Sequence, residues 1–511
     1  MRYFNTADWL IIVAYLIGIV GLGLWFGKDQ RTTRDYFLGS KNVPWWAIGL
    51  SIVAAETSAL TIIGVPAMAY GTNLTFAQMV LGYMFARIII AVVMVPLYLK
   101  GEIYSPYQLL ADAFGPRARQ TAGGFFLISE TLAAGVRVYV ACIPIQLMLG
   151  IQVLPAIALF IILSLFYTYV GGVKAVIWTD AVQFGLFLAG GIFTLCYVPT
   201  LMDGGLNGVL SEAAAAGKLR WLDTHFALAL PSKTFNLWMG LIGGTFVTLS
   251  SHGAEQLIVQ RVLACKSVRD GRKSLALSAV LILPLFLIFL LAGAMLWVYY
   301  RHFPPAIPIP EARPGIKAND FIYPIFMLTA VPHWLKGFLI VAILSAAMSS
   351  VSSALTALAS VSTMDFVQPI LRDRRSPEFY LRFSKLSTIA WAAALMLVAY
   401  LSREVVFVLN AAFSLRGLTS GALLGGLMLT LFWRRGPAAP LIAGMLASLG
   451  FMIGVSLNWF WKTQIDWPWF TLLGTIVTLA VAWITRQLVW PPTLRTSAST
   501  APAALQDERT Q

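Results

Sequence analysis

The sequence predicts an all-α membrane protein of about thirteen transmembrane helices. Three observations predict it. Hydrophobic residues fill 59% of 511 positions and charged residues only 11%, under half the ~25% of a soluble domain; mean hydropathy is +0.78. Apolar stretches of about 20 residues recur along nearly the whole length. Each can cross ~30 Å of hydrocarbon as a helix, the form that satisfies its own backbone polar groups. Lys and Arg, finally, are shared unevenly between alternate loops.

The candidate spans are 8–26, 43–70, 76–99, 122–149, 153–170, 178–201, 236–260, 274–300, 334–364, 384–401, 404–433, 438–459 and 468–487. The first is a retained helix rather than a signal peptide. Only Arg2 precedes it, "GKDQRTTR" stops it, and no small-residue cleavage site follows. With the N-terminus outside, the inner side holds 23 Lys/Arg and the outer side 10, counting Lys385 and Arg486 at inner span ends and Lys336 at an outer one, and Arg87, Arg137 and Arg416 lie deeper within spans. That asymmetry predicts N-out, C-in, as in a bacterial inner membrane. It also assigns the net charge of +14 to anchoring in the lipid bilayer, not to nucleic acid. Two outer loops are long, 202–235 and 301–333, and the second contains "FPPAIPIPEARPG", too rich in proline for a regular helix. One polytopic domain, 1–490, is expected, with a disordered cytoplasmic tail, 491–511. No phosphate-loop motif and no H-E-x-x-H occur, and Cys142, Cys196 and Cys265 suggest neither a disulfide framework nor a metal cluster. An ATP-driven pump and a zinc protease are thereby disfavoured.

Polar groups inside a span cost several kcal/mol, so each is a functional candidate. In "SAAMSSVSSAL", Ser345, Ser349, Ser352, Ser353, Thr356, Ser360 and Thr363 form one helical stripe, with Ser350 opening a second edge. Close helix packing is one reading. A site for a hard cation such as sodium is the other, because hydroxyl and carbonyl oxygens suit it. In "AAETSALTIIGVPAMAYG", Glu56, Thr57, Ser58 and Thr61 precede Gly64 and Pro66. This reads either as a proline kink or as a discontinuous helix whose unwound carbonyls meet a cation. Asp180 opens a span after "GGVKAVIWT", as a helix cap or as a ligand. Arg137 lies seven residues after Glu130 on one face, as a buried pair or as a fork for a substrate carboxylate. Arg87 has no acid at helical spacing, and a structural role on backbone carbonyls is expected.

The elements "ADWLIIVAYL", "TTRDYFLGSKNVPWWAIGLS", "AAETSALTIIGVP", "YTYVGGVKAVIWTDAVQ", "EQLIVQRVLACKS", "ILSAAMSSVSSALTALASVSTMD" and "LFWRRG" follow one another in an order that resembles the sodium/solute symporter family, from about Asp8 to Trp433 and beyond. The resemblance implies a transporter core of five-plus-five inverted repeats, about 43–201 and 236–433, each opening on a broken helix. It implies a first sodium site on Ala54, Thr57, Ala346, Ser349 and Ser350, and a second on Asp180, Ser349, Ser352 and Ser353. The full set favours two ions over one. It implies substrate contacts at Ser58, Thr61, Phe76 and Arg137. Glu56 departs from the neutral residue that most sugar and acid carriers place there, and is a substrate or sodium contact. The implied activity is not enzymatic. It is sodium-coupled import of a small polar organic solute by alternating access, with Na+ as the co-transported ion and no organic cofactor; Arg137 favours a carboxylate-bearing solute. A proton-coupled carrier, with Glu56 or Asp180 titrating, and a non-transporting solute sensor are the alternatives.

Overall fold

The computed structural model describes residues 4–28, 31–230, 234–313, 316–371, 374–404, 408–433, 435–459 and 464–489. The tail expected to be disordered lies outside them. Among the described residues, ten helices are long and apolar enough to span a membrane, and eleven if the bent pair Trp45–Glu56 and Leu60–Gly71 is one span. The thirteen sequence spans therefore do not all pass on length. Val153–Phe166 is apolar but short. The stretch from Met239 is interrupted near its middle, so neither Thr245–Gly253 nor Gln256–Leu263 crosses alone.

Each helix starts and stops for a local reason. Asn5 caps Thr6–Phe26 through a capping box with Asp8. The helix Trp45–Glu56 ends where Thr57 (φ −80°, ψ 97°) and Ser58 (φ −98°, ψ 176°) turn extended, and the next helix, Ala59–Gly71, leaves at 55°. The break falls well before Pro66, so the proline-kink reading is set aside. The second repeat breaks likewise: Glu255 (φ −107°, ψ 136°) separates the two short helices, Thr245–Gly253 and Gln256–Leu263. Spans 153–170 and 178–201 join as Val153–Thr200, bent at Gly172, whose φ of 56° and ψ of −162° suit glycine. A Cβ there would sit 2.6 Å from the Tyr36 carbonyl. Asp180 therefore lies inside a helix and does not cap one. The hydroxyl of Thr179 donates back to the Ala175 and Val176 carbonyls, both at 3.0 Å.

The serine helix, Leu335–Ser360, is buried nearly all round, as expected for a central element. It packs against Pro116–Leu149, against Val153–Thr200 and against both halves of the first broken helix. The face carrying loops 202–235 and 301–333 is more ordered than the sequence suggested. It holds helices Gly205–Ala215 and Ile322–Thr329 and a short ladder, Glu311–Arg313 with Ile316–Lys317. Lys218 Nζ donates to the carbonyls of Tyr70 (2.6 Å) and Thr72 (2.9 Å), closing the end of Ala59–Gly71. Burial pulls its amine down to about 8, and burial raises the Asp320 carboxyl on the same face to about 6. The opposite, Lys/Arg-rich face carries the helix Thr33–Leu38.

Candidate functional site

The first break exposes oxygen. The last ladder bond of Trp45–Glu56 runs from Thr57 N–H to the Val53 carbonyl at 2.9 Å. The carbonyls from Ala54 to Thr57 are therefore the helix-end group that lacks intrahelical partners. The Thr57 hydroxyl is fully buried, with no hydrogen-bond partner among the described residues. Buried polar groups are nearly always paired, so this one suits a missing ligand. Across the gap, Ser350 donates to the Ala346 carbonyl at 3.2 Å, and Ser349 and Ser350 are both buried. Carbonyl and hydroxyl oxygens form a neutral, hard donor set that fits an alkali ion.

Around Asp180, Ser349 and Ser353 come together with a group the sequence reading placed in a loop. Asp180 is fully buried. Its Oδ1 accepts from Ser349 Oγ at 2.6 Å, and its Oδ2 accepts from Ser51 Oγ at 2.5 Å and from Arg261 Nη2 at 2.9 Å. Arg261 also donates from Nε to Ser51 Oγ at 2.8 Å, from Nη1 to the Leu257 carbonyl at 2.6 Å and from Nη2 to Ser353 Oγ. Arg261, counted among the inner-loop charges, is thus a buried helical residue. Ser352 and Ser353 both donate to the Ser349 carbonyl, at 3.0 Å and 2.5 Å.

Beside the first break lies a cavity of about 80 Å³, lined by Glu56, Ser58, Thr61, Phe76 and Arg137 among others. All five residues expected to meet substrate share this one space. Its aromatic wall stacks Phe76 on Phe286 with centroids 5.7 Å apart. Tyr83, also lining it, keeps a buried hydroxyl without a partner among the described residues.

The cavity's charges come in pairs. Arg137 Nη2 bonds Glu130 Oε1 at 2.5 Å, and Arg416 Nε bonds Glu255 Oε2 at 2.8 Å. Arg87 pairs with Glu56 and donates to the Tyr83 carbonyl at 3.0 Å. Its acid thus comes from another helix, which corrects the backbone-only expectation. The side chains of Glu56, Arg137 and Arg416 are 17%, 11% and 20% exposed, whereas Arg87 is sealed. So one carboxylate and two guanidiniums reach the cavity. His252 Nε2 lies 3.1 Å from Arg87 Nη2, and its Nδ1 lies 2.8 Å from Ser251 Oγ. A guanidinium cannot accept, so Nε2 is the acceptor and Nδ1–H donates to Ser251. His252 Nε2 also lies 3.5 Å from Glu56 Oε2.

His252 and Glu255 were missed by the sequence reading, and Arg416 was placed within a span without a role. The signal was available: all three are ionisable and lie within apolar spans, as Glu56 does.

A family model for the sodium:solute symporter family matches residues 36–448. The chain belongs to the sodium:solute symporter family. It is a transporter and not an enzyme, with Na+ as the co-transported ion. Among its relatives, the sodium/sialic acid symporter SiaT of Proteus mirabilis is 30% identical over 93% of this chain and 95% of its own length. The human sodium-coupled monocarboxylate transporter 1 is 27% identical over 89% of this chain and 74% of its own. A solved structure described as the substrate-bound outward-open state of a sodium-coupled sialic acid symporter superposes with a TM-score of 0.84. It is 27% identical and covers 96% of this chain and 99% of that one. Mhp1, a nucleobase-cation-symport-1 transporter with a bound hydantoin, shares the fold alone, at a TM-score of 0.54 and 14% identity.

Proposed function

We propose that this protein imports a small polar organic solute bearing a carboxylate, coupled to sodium moving down its gradient. The observation that carries the reading is the convergence of Ser58, Thr61, Phe76, Arg137 and Glu56 on one cavity beside a helix break with free carbonyls. Sodium binds the carbonyls of Ala54, Thr57 and Ala346 with the hydroxyls of Thr57, Ser349 and Ser350. It ties the first broken helix to the serine helix and so shapes Ser58 and Thr61, which follow directly in sequence. Arg137, held by Glu130, offers its remaining N–H donors to the solute's carboxylate, and Arg416, held by Glu255, adds a second guanidinium to the wall. Glu56, braced by Arg87, meets a donor group elsewhere on the solute. The relatives named for sialic acid and for monocarboxylates carry acids, which supports the same class.

The long-loop face lies outside a bacterial inner membrane and the Lys/Arg-rich face in the cytoplasm. The core repeats, 43–201 and 236–433, rock about the fixed site. The drive suffices: one charge crossing 100 mV yields ~2.3 kcal/mol and a tenfold sodium gradient ~1.4 kcal/mol. With a monoanionic solute one ion moves no net charge and sustains only about tenfold accumulation, whereas two ions carry one net charge and sustain roughly 5,000-fold.

Uptake of a panel of radiolabelled acids, amino acids and sugars into proteoliposomes tests the reading, with an inward sodium gradient against a choline control. Sodium-dependent accumulation of an acid, lost in Arg137→Ala, is expected. Uptake driven by a pH step without sodium, or accumulation of neutral sugars alone, would refute it.

A further inference from the structure

We infer that the Arg261 guanidinium is a tethered cation that competes with sodium for the Asp180 oxygens, so sodium enters this second position only when the helix carrying Arg261 withdraws. The inference rests on the sodium-coupled reading above and refines its ion count.

Three observations carry it. First, the guanidinium stands within the oxygen set that a second sodium would need. It bonds Asp180 Oδ2 and Ser353 Oγ from one nitrogen, and Ser51 Oγ from another. Those Asp180 and Ser353 oxygens cannot face Arg261 and a bare ion at full strength at once. Two positive charges at that distance also repel strongly where burial excludes water. Second, the charge is already balanced. Asp180 and Arg261 are both buried, and together they are neutral. Sodium added there would leave a buried excess of one positive charge, whereas sodium replacing Arg261 keeps the neutrality. Third, Arg261 is not free to swing aside on its own. Its Nη1 is held by the Leu257 carbonyl of its own helix, Gln256–Leu263.

Neighbours on that helix tie it to the Lys/Arg-rich face. Gln256 Nε2 donates to the Tyr104 carbonyl at 2.6 Å and to Ser360 Oγ at 3.1 Å, and Gln260 Nε2 donates to the Phe37 carbonyl at 3.3 Å. Withdrawing Arg261 therefore loosens contacts that close this face. Reciprocity follows: whatever favours sodium at Asp180 favours release of these contacts, by the same factor. Arg261 is in this sense a positioning residue that sets when the second ion binds. The sodium at the first break binds with this face closed.

The test is a sodium titration of the purified full-length protein in detergent, followed by thermal stability at constant ionic strength with choline as the balancing cation. Wild type is expected to respond with a Hill coefficient near one. Arg261→Gln is expected to lower the sodium midpoint at least tenfold and raise the Hill coefficient above one. Adding Asp180→Asn to it is expected to erase that gain. Ser51→Ala removes a hydroxyl that accepts from Arg261 Nε and donates to Asp180 Oδ2, so it weakens the hold on Arg261 and frees that carboxylate oxygen, and should shift the midpoint in the same direction by less. An Arg261→Gln titration that matches wild type, or is weaker, overturns the inference. If that variant does not fold, an unchanged midpoint in Ser51→Ala overturns it instead. A wild type with no sodium response sinks the sodium-coupled reading itself. A normal wild-type response with unmoved variants sinks only the competition.

Discussion

Two oxygen-rich places lie along the serine helix, and they are occupied in opposite ways. At the first break the donors are neutral, and a buried threonine hydroxyl, that of Thr57, has no partner among the described residues. At Asp180 the donors include a full negative charge, and a guanidinium already fills the space between them. The same helix thus borders one place whose donors are neutral and another where Arg261, from the helix Gln256–Leu263, balances a carboxylate. The difference teaches that an oxygen set alone does not define an ion site. The local charge balance decides whether a mobile ion gains anything by entering.

The largest effect expected from breaking this comparison is on stability. Asp180→Asn leaves Arg261 buried without its counter-charge, which costs ~3–5 kcal/mol for a buried pair broken on one side. A fall in melting temperature measured in sodium-free buffer checks it. Adding Arg261→Gln should recover part of the loss, so the double-mutant cycle should be strongly non-additive. Next comes Ser350→Ala. It should leave the melting temperature in sodium-free buffer nearly unchanged, yet raise the sodium needed for half-maximal uptake by about tenfold, ~1.4 kcal/mol. Normal uptake at low sodium would remove Ser350 from the first site.

A smaller effect is expected at Thr57. Replacing a buried, unpaired hydroxyl by a methyl of the same shape is close to neutral. Thr57→Val should therefore hold stability within about 0.5 kcal/mol while raising the sodium midpoint several-fold; a loss of stability instead would mean the hydroxyl has a protein partner. The smallest effect separates protons from sodium. The Asp320 carboxyl is raised to about 6 by burial. A raised acid stabilises the fold in its protonated form, so its contribution is full below its unfolded value of ~3.9 and is lost as pH rises through about 6. The melting temperature of Asp320→Asn relative to wild type should thus rise from pH 5 to 7.5. The sodium midpoints of Ser350→Ala and wild type should keep their ratio over the same range.

Much of this was legible in the chain. Hydroxyls spaced at three, four and seven residues from Ser345 to Thr363 mark one helical face whatever surrounds it. Glu56 and Arg137 stood out because an ionisable group in an apolar run is costly. The five expected substrate residues do share one cavity. The partners were not legible: Glu56 and Arg87 are 31 residues apart and on different helices. Arg261 was hidden by its place one residue beyond a span limit, where a basic residue ordinarily marks the membrane edge. The helices Gly205–Ala215 and Ile322–Thr329 were hidden inside long loops.

By itself, the sequence determined the solvent of the protein, the helical form of its spans, the stripe of oxygens and the family to which it belongs. These follow from composition and from spacing along one chain, which local geometry fixes. Only the tertiary structure decided which charge neutralises which. Neutralisation is a contact between helices far apart in the chain, and burial makes each such contact obligatory. That is why Arg261, read as a loop charge, stands at Asp180.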